Sequence, residues 1–501
     1  MIAAVFAAFY VWAALYVFRP LGDPDIWWHL AAGRWMIEHG GVPRVDPFSF
    51  TALGTRWTDS HWLYEMILYS IQGLSGYGGI ILFNSLLVVG GLFFQERLLV
   101  KRGLPWMPRL AALALTLAAA EPRGYGWTEN ASTISFLFMS VLFWCQAGTR
   151  GKEAPDGGGA SLPCPGLTPL LFVAWANLHR GCLLGLAVLA LAFIEESRGR
   201  IWRRPRSLGL LLLCALATLA NPYGLGLYRH AFLDVRLSPL HTLNWARTPF
   251  HHLEIFWAVF AVFWVSRVWS ALRPLASPAL RERGSLGGRE WLVPLFLGWI
   301  AARHAWGVRF FALYAVADLA CGAWEWLKKR LARTLDSSAR AAAQGGRPRF
   351  LDGGPAVALA VFALLLRAIA AQPARALIDK GRVPVGACDV IESRRIEGPF
   401  YNDYGFGGYF IWRFAGKLPV FIDGRYPAVE GYIPLHERLM RAKLGSPEDW
   451  RRFLDFYGVR SALVGYPPPQ TPLSRFVLYF PRSRWKLVYQ DGIALLFVRR
   501  R

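Results

Sequence analysis

Apolar stretches close to the length of a membrane-spanning helix alternate with polar segments along the first three quarters of the chain. The first stretch covers residues 2–18. Further stretches lie at 77–98, 107–120, 131–147, 166–177, 182–196, 207–220, 252–270, 290–303, 308–325 and 354–371. A helix needs about 20 apolar residues to cross the hydrocarbon core, and some of these stretches are shorter, so the pattern predicts about eleven transmembrane helices.

The apolar segment at 2–18 also resembles a secretory signal peptide. No basic residues precede it, and no small-residue cleavage site separates it from Arg19 and Pro20. A signal peptide has both features. We therefore expect this segment to remain in the protein as the first transmembrane helix.

The pattern changes after residue 372. Short β-like runs with the sequences LPVFID, SALVGY, WKLVYQ and IALLFV alternate with helical patterns at 434–444 and 447–457. The segment GFGGYFIW at 405–412 indicates a glycine-rich turn that leads into a strand. We predict a transmembrane domain at 1–372, which includes an outer loop at 19–76, and an α/β domain outside the membrane at 373–501.

The composition and the charge agree with a polytopic α-helical membrane protein. The chain is 54% hydrophobic and only 18% charged, against about 25% charged residues in a soluble protein. The formal net charge of +23 is compatible with nucleic-acid binding. The basic clusters, however, lie between apolar spans, where the positive-inside rule places them, and we expect no nucleic-acid partner. Six scattered cysteines without a CxxC pair are predicted to be buried and apolar in character.

The basic connectors also predict the orientation. Segments 97–109, 198–206, 271–289 and 326–350 are strongly basic, and all of them face the cytoplasm if the spans alternate from a cytoplasmic N-terminus. The opposite face then receives the outer loop, the later loops that carry polar, aromatic and histidine residues, and the domain at 373–501. We therefore expect one polar, histidine-bearing outer surface.

The outer loop concentrates ionisable and aromatic residues. Between Asp23 and Glu65 it contains four aspartates, three histidines and five tryptophans. The segment WWHLAAGRWMIEH has helical periodicity and is predicted to lie on the membrane interface, and a second interfacial helix is predicted to begin near Asp59. Asp46 and Asp59 fit turn or helix-cap positions. Asp25 is poorly explained by capping alone, which makes it a candidate functional acid.

The order of these features resembles the GT-C superfamily, whose members are membrane glycosyltransferases that take sugars from polyprenyl-phosphate donors. The motifs that carry the resemblance are DPDIWWHLAAGRW, VPRVDPFSFTALGTRWTDSHWLYE, WANLHRG, NPYG, NDYGFGGYFIWRF and PVFIDGR. They are similar to those of a group of bacterial multi-pass proteins assigned to that superfamily. The resemblance spans nearly the whole chain, and it implies a bacterial inner-membrane protein with a periplasmic C-terminal domain.

The resemblance also implies a catalytic acid in the outer loop. This role falls on Asp25, with Asp23 as the competing candidate. The acid would act as a general base that takes the proton of an acceptor hydroxyl, while the hydroxyl attacks the anomeric carbon and the lipid phosphate leaves. The donor would be a polyprenyl-phosphate-linked sugar, and the acceptor a lipid, glycan or protein.

The departing phosphate requires cations or hydrogen-bond donors on the same face. The substrate-binding candidates there are His29, Arg34, Arg123, His179, Arg180, His304 and Arg309. Structural roles are alternatives for several of them, since Arg34 is spaced to pair with Glu38, Arg309 fits a snorkelling position at a helix end, and 177–181 fits a tight polar turn.

The sequence alone leaves open whether the protein binds a metal ion. Asp23, Asp25 and His29 are candidate ligands for Mg²⁺ or Mn²⁺, but metal-independent members occur in the superfamily. The segment 423–425, DGR, either contacts the acceptor or forms a structural turn.

Two hypotheses of other classes accompany the glycosyltransferase. One is a non-catalytic envelope-assembly scaffold with the same fold, and the other is a transporter of lipid-linked substrates. Transporters usually contain internal repeats and polar or broken segments near the middle of several spans. This sequence shows no such repeat, and its polar residues gather at one face, which favours chemistry or binding at the interface.

Overall fold

A computed structural model describes most of the chain. The described residues are 1–121, 127, 130–147, 166–197, 205–237, 248–251, 253–272, 291–334, 374–466 and 479–500. They form a helical bundle, followed by a smaller region of helices and strands.

Twelve helices precede residue 335 in the described part of the chain. They are α1 (Ile2–Val17), α2 (Asp25–His39), α3 (Trp62–Lys101), α4 (Trp106–Ala119), α5 (Ser132–Gln146), α6 (Leu167–Leu178), α7 (Cys182–Glu196), α8 (Pro205–Ala217), α9 (Gly226–Leu237), α10 (Glu254–Leu272), α11 (Leu292–Arg303) and α12 (Val308–Thr334). Every predicted span that falls within the described residues is helical, whereas the predicted span 354–371 lies outside them.

Three helical segments in the described part of the chain are long and apolar enough to cross a membrane. They are Trp62–Lys101, Glu254–Leu272 and Ala305–Leu331. Shorter apolar helices, α1 among them, accompany these three. The helical class is confirmed, and the count of eleven spans stays a prediction.

Helix α3 is interrupted near the end of the predicted outer loop. Gly76 has φ 63° and ψ −161°, a backbone conformation that glycine adopts without the steric cost of a Cβ atom. The interruption separates a first part, which packs on α2, from an apolar second part of membrane-spanning length. A helix is present where the second interfacial helix was predicted, but it begins at Trp62 and continues into the next span after this break. Its position on the membrane interface stays a prediction.

The second region contains four helices and a four-stranded sheet in the described part of the chain. The helices are α13 (Val385–Ser393), α14 (Tyr404–Phe414), α15 (Tyr432–Leu444) and α16 (Pro447–Phe456), and the strands are β1 (Phe400–Asn402), β2 (Ser461–Gly465), β3 (Trp485–Gln490) and β4 (Ala494–Arg499). The strand order is β1-β2-β4-β3. Strands β1 and β2 are parallel, with Phe400 opposite Ser461, and the other pairs are antiparallel.

Two of the sequence predictions for this region are wrong. Residues 405–412 belong to helix α14 and do not form a turn before a strand. The run LPVFID at 418–423 is not a strand, and it joins the outer loop through a single bridge between Val420 and Ser49. Two glycines of α14 serve close packing instead, because a Cβ atom on Gly407 would lie 2.2 Å from the carbonyl oxygen of Ile422, and one on Gly408 would lie 2.6 Å from that of Pro24.

The outer loop and the C-terminal region share one hydrophobic core. Isolated bridges join Leu21 to Ile378 and Trp57 to Val429, and buried residues of both regions form a single cluster. The face of α2 that includes Trp28 and Ala31 is buried in this cluster. This face therefore packs against protein, and the position of α2 on the membrane interface stays a prediction. The boundary at 372/373 stays a prediction, because it lies outside the described residues.

Candidate active site

One cavity of about 530 Å³ lies where the outer loop, the bundle and the C-terminal region meet. Its polar wall includes Asp25 and His29 of α2 together with Arg180. Its apolar wall comes from α7 and α11 and consists of Leu183, Leu184, Ala187, Phe296, Trp299 and Ile300. A carboxyl group, cationic groups and a lipid-compatible surface therefore share one space.

Asp25 is the first residue of α2 and lines this cavity. Its Oδ1 accepts a hydrogen bond of 3.0 Å from Nε1 of Trp28. Asp23 fixes the backbone of Asp25, because Asp23 Oδ1 accepts the backbone amide hydrogen of Asp25 at 2.9 Å. Asp23 Oδ2 accepts a hydrogen bond from the side chain of Asn130 at 3.3 Å. Asp23 is not among the lining residues. Of the two candidate acids, Asp25 is the one that faces the cavity.

Burial raises the pKa of Asp25 to about 7, and the nearby charge of Asp23 contributes to the increase. The hydrogen bond from Trp28 and the charge of Arg180 oppose this effect. A carboxyl group with a pKa near the working pH is suited to accept and release a proton.

Gly424 brings the C-terminal region directly onto Asp25. A Cβ atom on Gly424 would lie 2.1 Å from Asp25 Oδ1 and 2.8 Å from Trp28 Nε1. The backbone oxygen of Gly424 accepts a hydrogen bond of 3.3 Å from the hydroxyl of Tyr404, another residue of the cavity wall. Sequence analysis identified the segment 423–425, DGR, as a candidate, but it did not predict that Gly424 lies against Asp25.

Two of the predicted arginines line the cavity. Arg309 is buried, donates to Ser132 Oγ at 3.2 Å, and lies 4.8 Å from the ring centre of Trp127. Arg180 is partly exposed and pairs with Asp234 at 2.7 Å. The predicted snorkelling of Arg309 towards water does not occur, because its guanidinium is buried at the cavity.

Two predicted histidines, His179 and His304, also line the cavity. His179 Nδ1 accepts the backbone amide hydrogen of Gly181 at 3.0 Å. Burial lowers the pKa of His179 to about 3, so the ring is neutral at pH 7 and carries its hydrogen on Nε2. His179 is therefore a neutral hydrogen-bond donor.

Arg34 lies away from the cavity, which its side chain does not line. Its guanidinium lies 5.1 Å from the ring centre of Trp412, and its Nε lies 4.0 Å from the carboxylate of Glu38. The structural alternative for Arg34 is thus the better account. The candidate Arg123 lies outside the described residues.

His29 belongs to a buried group that also contains Asp59, His61 and Glu65, here called the histidine–carboxyl cluster. His29 Nδ1 lies 2.7 Å from Glu65 Oε1, and Asp59 Oδ1 accepts the His61 amide hydrogen at 3.0 Å. Within the described residues, the only set of His, Cys, Asp and Glu side chains placed to hold a metal ion is His29, His61 and Glu65. Asp23 and Asp25 are not part of it, which corrects the predicted grouping of His29 with the two aspartates.

Arg425 connects the outer loop to the C-terminal region. The fully buried guanidinium binds Asp423 with two nitrogens at 2.8 and 2.6 Å and Asp46 of the outer loop at 2.6 Å. It lies between the rings of Phe48 and Trp57, about 5 Å from each ring centre. The segment DGR therefore holds Gly424 beside Asp25, and the guanidinium of Arg425, a residue of the cavity wall, is paired with two carboxylates.

Solved structures match the chain over most of its length, whereas no protein-family model and no curated protein sequence matches it. The archaeal oligosaccharyltransferase AglB from Archaeoglobus fulgidus, in complex with an inhibitory peptide and a dolichol-phosphate, is 10% identical with a TM-score of 0.55, covering 92% of this chain and 69% of that chain. The same enzyme tethered to an acceptor peptide is 11% identical over the same shares, with a TM-score of 0.51. ArnT from Cupriavidus metallidurans, bound to undecaprenyl phosphate, is 13% identical with a TM-score of 0.47, covering 99% of this chain and 97% of that chain. At these identities the likeness concerns the fold.

Proposed function

We propose that this chain, which has the fold of the GT-C membrane glycosyltransferases, transfers a sugar from a polyprenyl-phosphate-linked donor to a lipid, glycan or protein acceptor. The observation that carries the proposal is the shared cavity, in which Asp25 and Arg309 lie beside an apolar wall. AglB, whose fold matches, has been solved with a dolichol-phosphate.

The two walls of the cavity suit the two parts of such a donor. The apolar side chains of α7 and α11 suit a polyprenyl chain, because both are apolar. The phosphate suits Arg309, whose guanidinium fork grips two oxygens, and the Nε2 hydrogen of His179. Arg180 adds positive charge on the same wall, although Asp234 offsets part of it.

Asp25 performs the proton transfer in this proposal. Its carboxylate takes the proton of the acceptor hydroxyl as the hydroxyl oxygen forms a bond to the anomeric carbon. The bond from that carbon to the phosphate oxygen breaks, and the electron pair stays on the phosphate, which Arg309 stabilises. Asp23 positions Asp25 through the backbone amide and does not contact the acceptor.

The proposed location of the cavity is the periplasmic side of the inner membrane. Helix α3 begins at the cavity and ends at Lys101, next to a basic connector. Because basic connectors remain in the cytoplasm, the cavity at the other end of the bundle faces the periplasm.

Binding of undecaprenyl phosphate to the purified protein in nanodiscs tests the proposal. We expect the wild type to bind this lipid and to bind undecaprenol, which lacks the phosphate, more weakly. Arg309→Gln should weaken binding of undecaprenyl phosphate about ten- to hundredfold, because a hydrogen bond to a charged group is lost in a buried site. Quenching of tryptophan fluorescence measures both affinities, since Trp28 and Trp299 line the cavity.

Arg382→Gln is the matched control for this measurement. Arg382 is exposed in the C-terminal region and pairs with Asp379 at 3.5 Å, so its loss should leave the affinity unchanged. Equal affinity of the wild type for undecaprenyl phosphate and undecaprenol would show that the cavity does not recognise the phosphate, and it would favour the scaffold alternative.

The pH dependence of transfer should report the ionisation of Asp25. Because the base works only when ionised and its pKa is raised to about 7, we expect kcat/KM to fall as the pH drops below 7 and to level off above about pH 8. Asp23→Asn removes a charge that raises this pKa. The midpoint should then move to lower pH while activity persists. An active Asp23→Asn variant with an unshifted midpoint would contradict the assignment of this ionisation to Asp25.

A further inference from the structure

The histidine–carboxyl cluster lies against the same cavity but has no part in the proton transfer proposed for Asp25. His29, Asp59 and His61 line the cavity, and Glu65 is fully buried behind them. All four side chains are more than nine-tenths buried. Burial of two carboxyl groups costs folding free energy unless each is paired or hydrogen-bonded, so this cluster needs a stabilising partner.

The two carboxyl groups lack counter-charge. Glu65 Oε2 and Asp59 Oδ2 are buried and receive no hydrogen bond from a third described residue, while the two carboxyl groups lie within hydrogen-bonding reach of each other. The nitrogens of this group belong to His29 and His61, and His29 Nδ1 lies 2.7 Å from Glu65 Oε1. Arg425 is committed to Asp423 and Asp46. A cation or a shared proton must therefore balance the pair.

The arrangement of ligand atoms favours a cation. One atom each from His29, His61 and Glu65 lies within 4.8 Å of the others. An ion bound at about 2.1 Å from each atom brings them to about 3.4 Å apart, so binding requires only small side-chain rotations. Imidazole nitrogens and carboxylate oxygens are common ligands of zinc, and Asp59 adjoins this set, because its Oδ1 accepts the amide hydrogen of His61 at 3.0 Å.

We propose that His29, His61 and Glu65 form a zinc site in the wall of the cavity. Two imidazole nitrogens and one carboxylate oxygen are a zinc ligand set, whereas Mg²⁺ prefers oxygen ligands and octahedral geometry. The bound ion would neutralise the carboxyl pair, fix the start of α3 against α2, and add positive charge to the wall that faces the donor phosphate. Only this last effect rests on the proposed function.

Metal analysis of the purified full-length protein tests the site without any sugar donor. After removal of loosely bound metal and loading with ZnCl₂, we expect about one zinc per chain by inductively coupled plasma mass spectrometry, and no retained Mg²⁺ after loading with MgCl₂. Glu65→Gln should weaken zinc binding by about a hundredfold or more, because removal of a residue that only supports a ligand already costs 10- to 100-fold. Substitution with Co²⁺ should give visible absorption bands in the wild type and not in the variant.

His39→Gln is the matched control, since His39 lies on the same helix α2 but is exposed and bonded to the carbonyl oxygen of Trp35. It should retain zinc. A second measurement does not depend on variants that fold poorly: ZnCl₂ should raise the Tm of the wild type in a concentration-dependent way, and MgCl₂ should not.

A wild type that retains no zinc and shows no zinc-dependent Tm would overturn the site and leave a proton shared by Asp59 and Glu65. Such a result leaves the binding of undecaprenyl phosphate untouched. Conversely, zinc retention by Asp25→Asn separates the metal site from the transfer reaction, because Asp25 is not a proposed ligand.

Discussion

Replacement of Asp25 by asparagine should lower the rate of sugar transfer by about 10²–10⁴-fold, the range that general-base catalysis supplies. The amide retains the size of the side chain and still accepts the hydrogen bond from Trp28, which is 3.0 Å long in the wild type. It has no basic oxygen that can take the acceptor proton. The loss should therefore appear in kcat, while binding of undecaprenyl phosphate stays close to that of the wild type.

The measurement uses a host strain that lacks its own copy of the gene. Mass spectrometry of its envelope lipids, glycans and proteins identifies the product that disappears on deletion and returns with the wild-type gene. Asp25→Asn at matched expression should fail to restore this product, and Glu38→Gln, an exposed carboxyl change on the same helix, should restore it. Full restoration by Asp25→Asn would exclude Asp25 as the base.

The second large effect is expected at Arg425. Replacement by leucine removes the cation that pairs with Asp423 and Asp46, and it leaves two buried carboxylates without their partner. Breaking a buried pair from one side costs about 3–5 kcal/mol. We therefore expect a markedly lower unfolding midpoint and faster proteolysis of the C-terminal region, because Asp46 belongs to the outer loop and Asp423 to that region.

Two further variants separate charge from geometry. Arg425→Lys retains the positive charge but loses the planar fork that binds Asp423 through two nitrogens, so it should be intermediate. Arg382→Leu removes an exposed arginine and should cost no more than about 1 kcal/mol. An Arg425→Leu protein as stable as the wild type would show that the outer loop and the C-terminal region do not depend on this connection.

Local sequence patterns predicted the features that local physics determines. The helical spans followed from runs of apolar residues, and the helix α2 followed from its periodicity. Asp46 was predicted as a turn residue, and its carboxylate does accept the amide hydrogens of Phe48 and Ser49. Asp25 was selected because capping did not explain it, and the structure places it on the cavity wall.

The features that sequence analysis missed depend on contacts between distant segments. Arg425 binds Asp46, 379 positions earlier, and Gly424 lies against Asp25. Helix α14 was predicted as a turn and a strand because it is rich in glycine, whereas Gly408 permits close packing on the start of α2. The histidine–carboxyl cluster was missed because Asp59 was interpreted as a helix cap and Glu65 as an interfacial residue, and neither pattern shows that α2 and α3 bring them to His29.

The most direct test of the central claim is a cryo-electron microscopy structure of the full chain in nanodiscs with undecaprenyl phosphate. We predict phosphate density between Arg309 and His179, with the Asp25 carboxyl facing it and the lipid chain along α7 and α11. Phosphate density outside this cavity, or an Asp25 side chain sealed from it, would contradict the proposal that the chain transfers sugars from a polyprenyl phosphate.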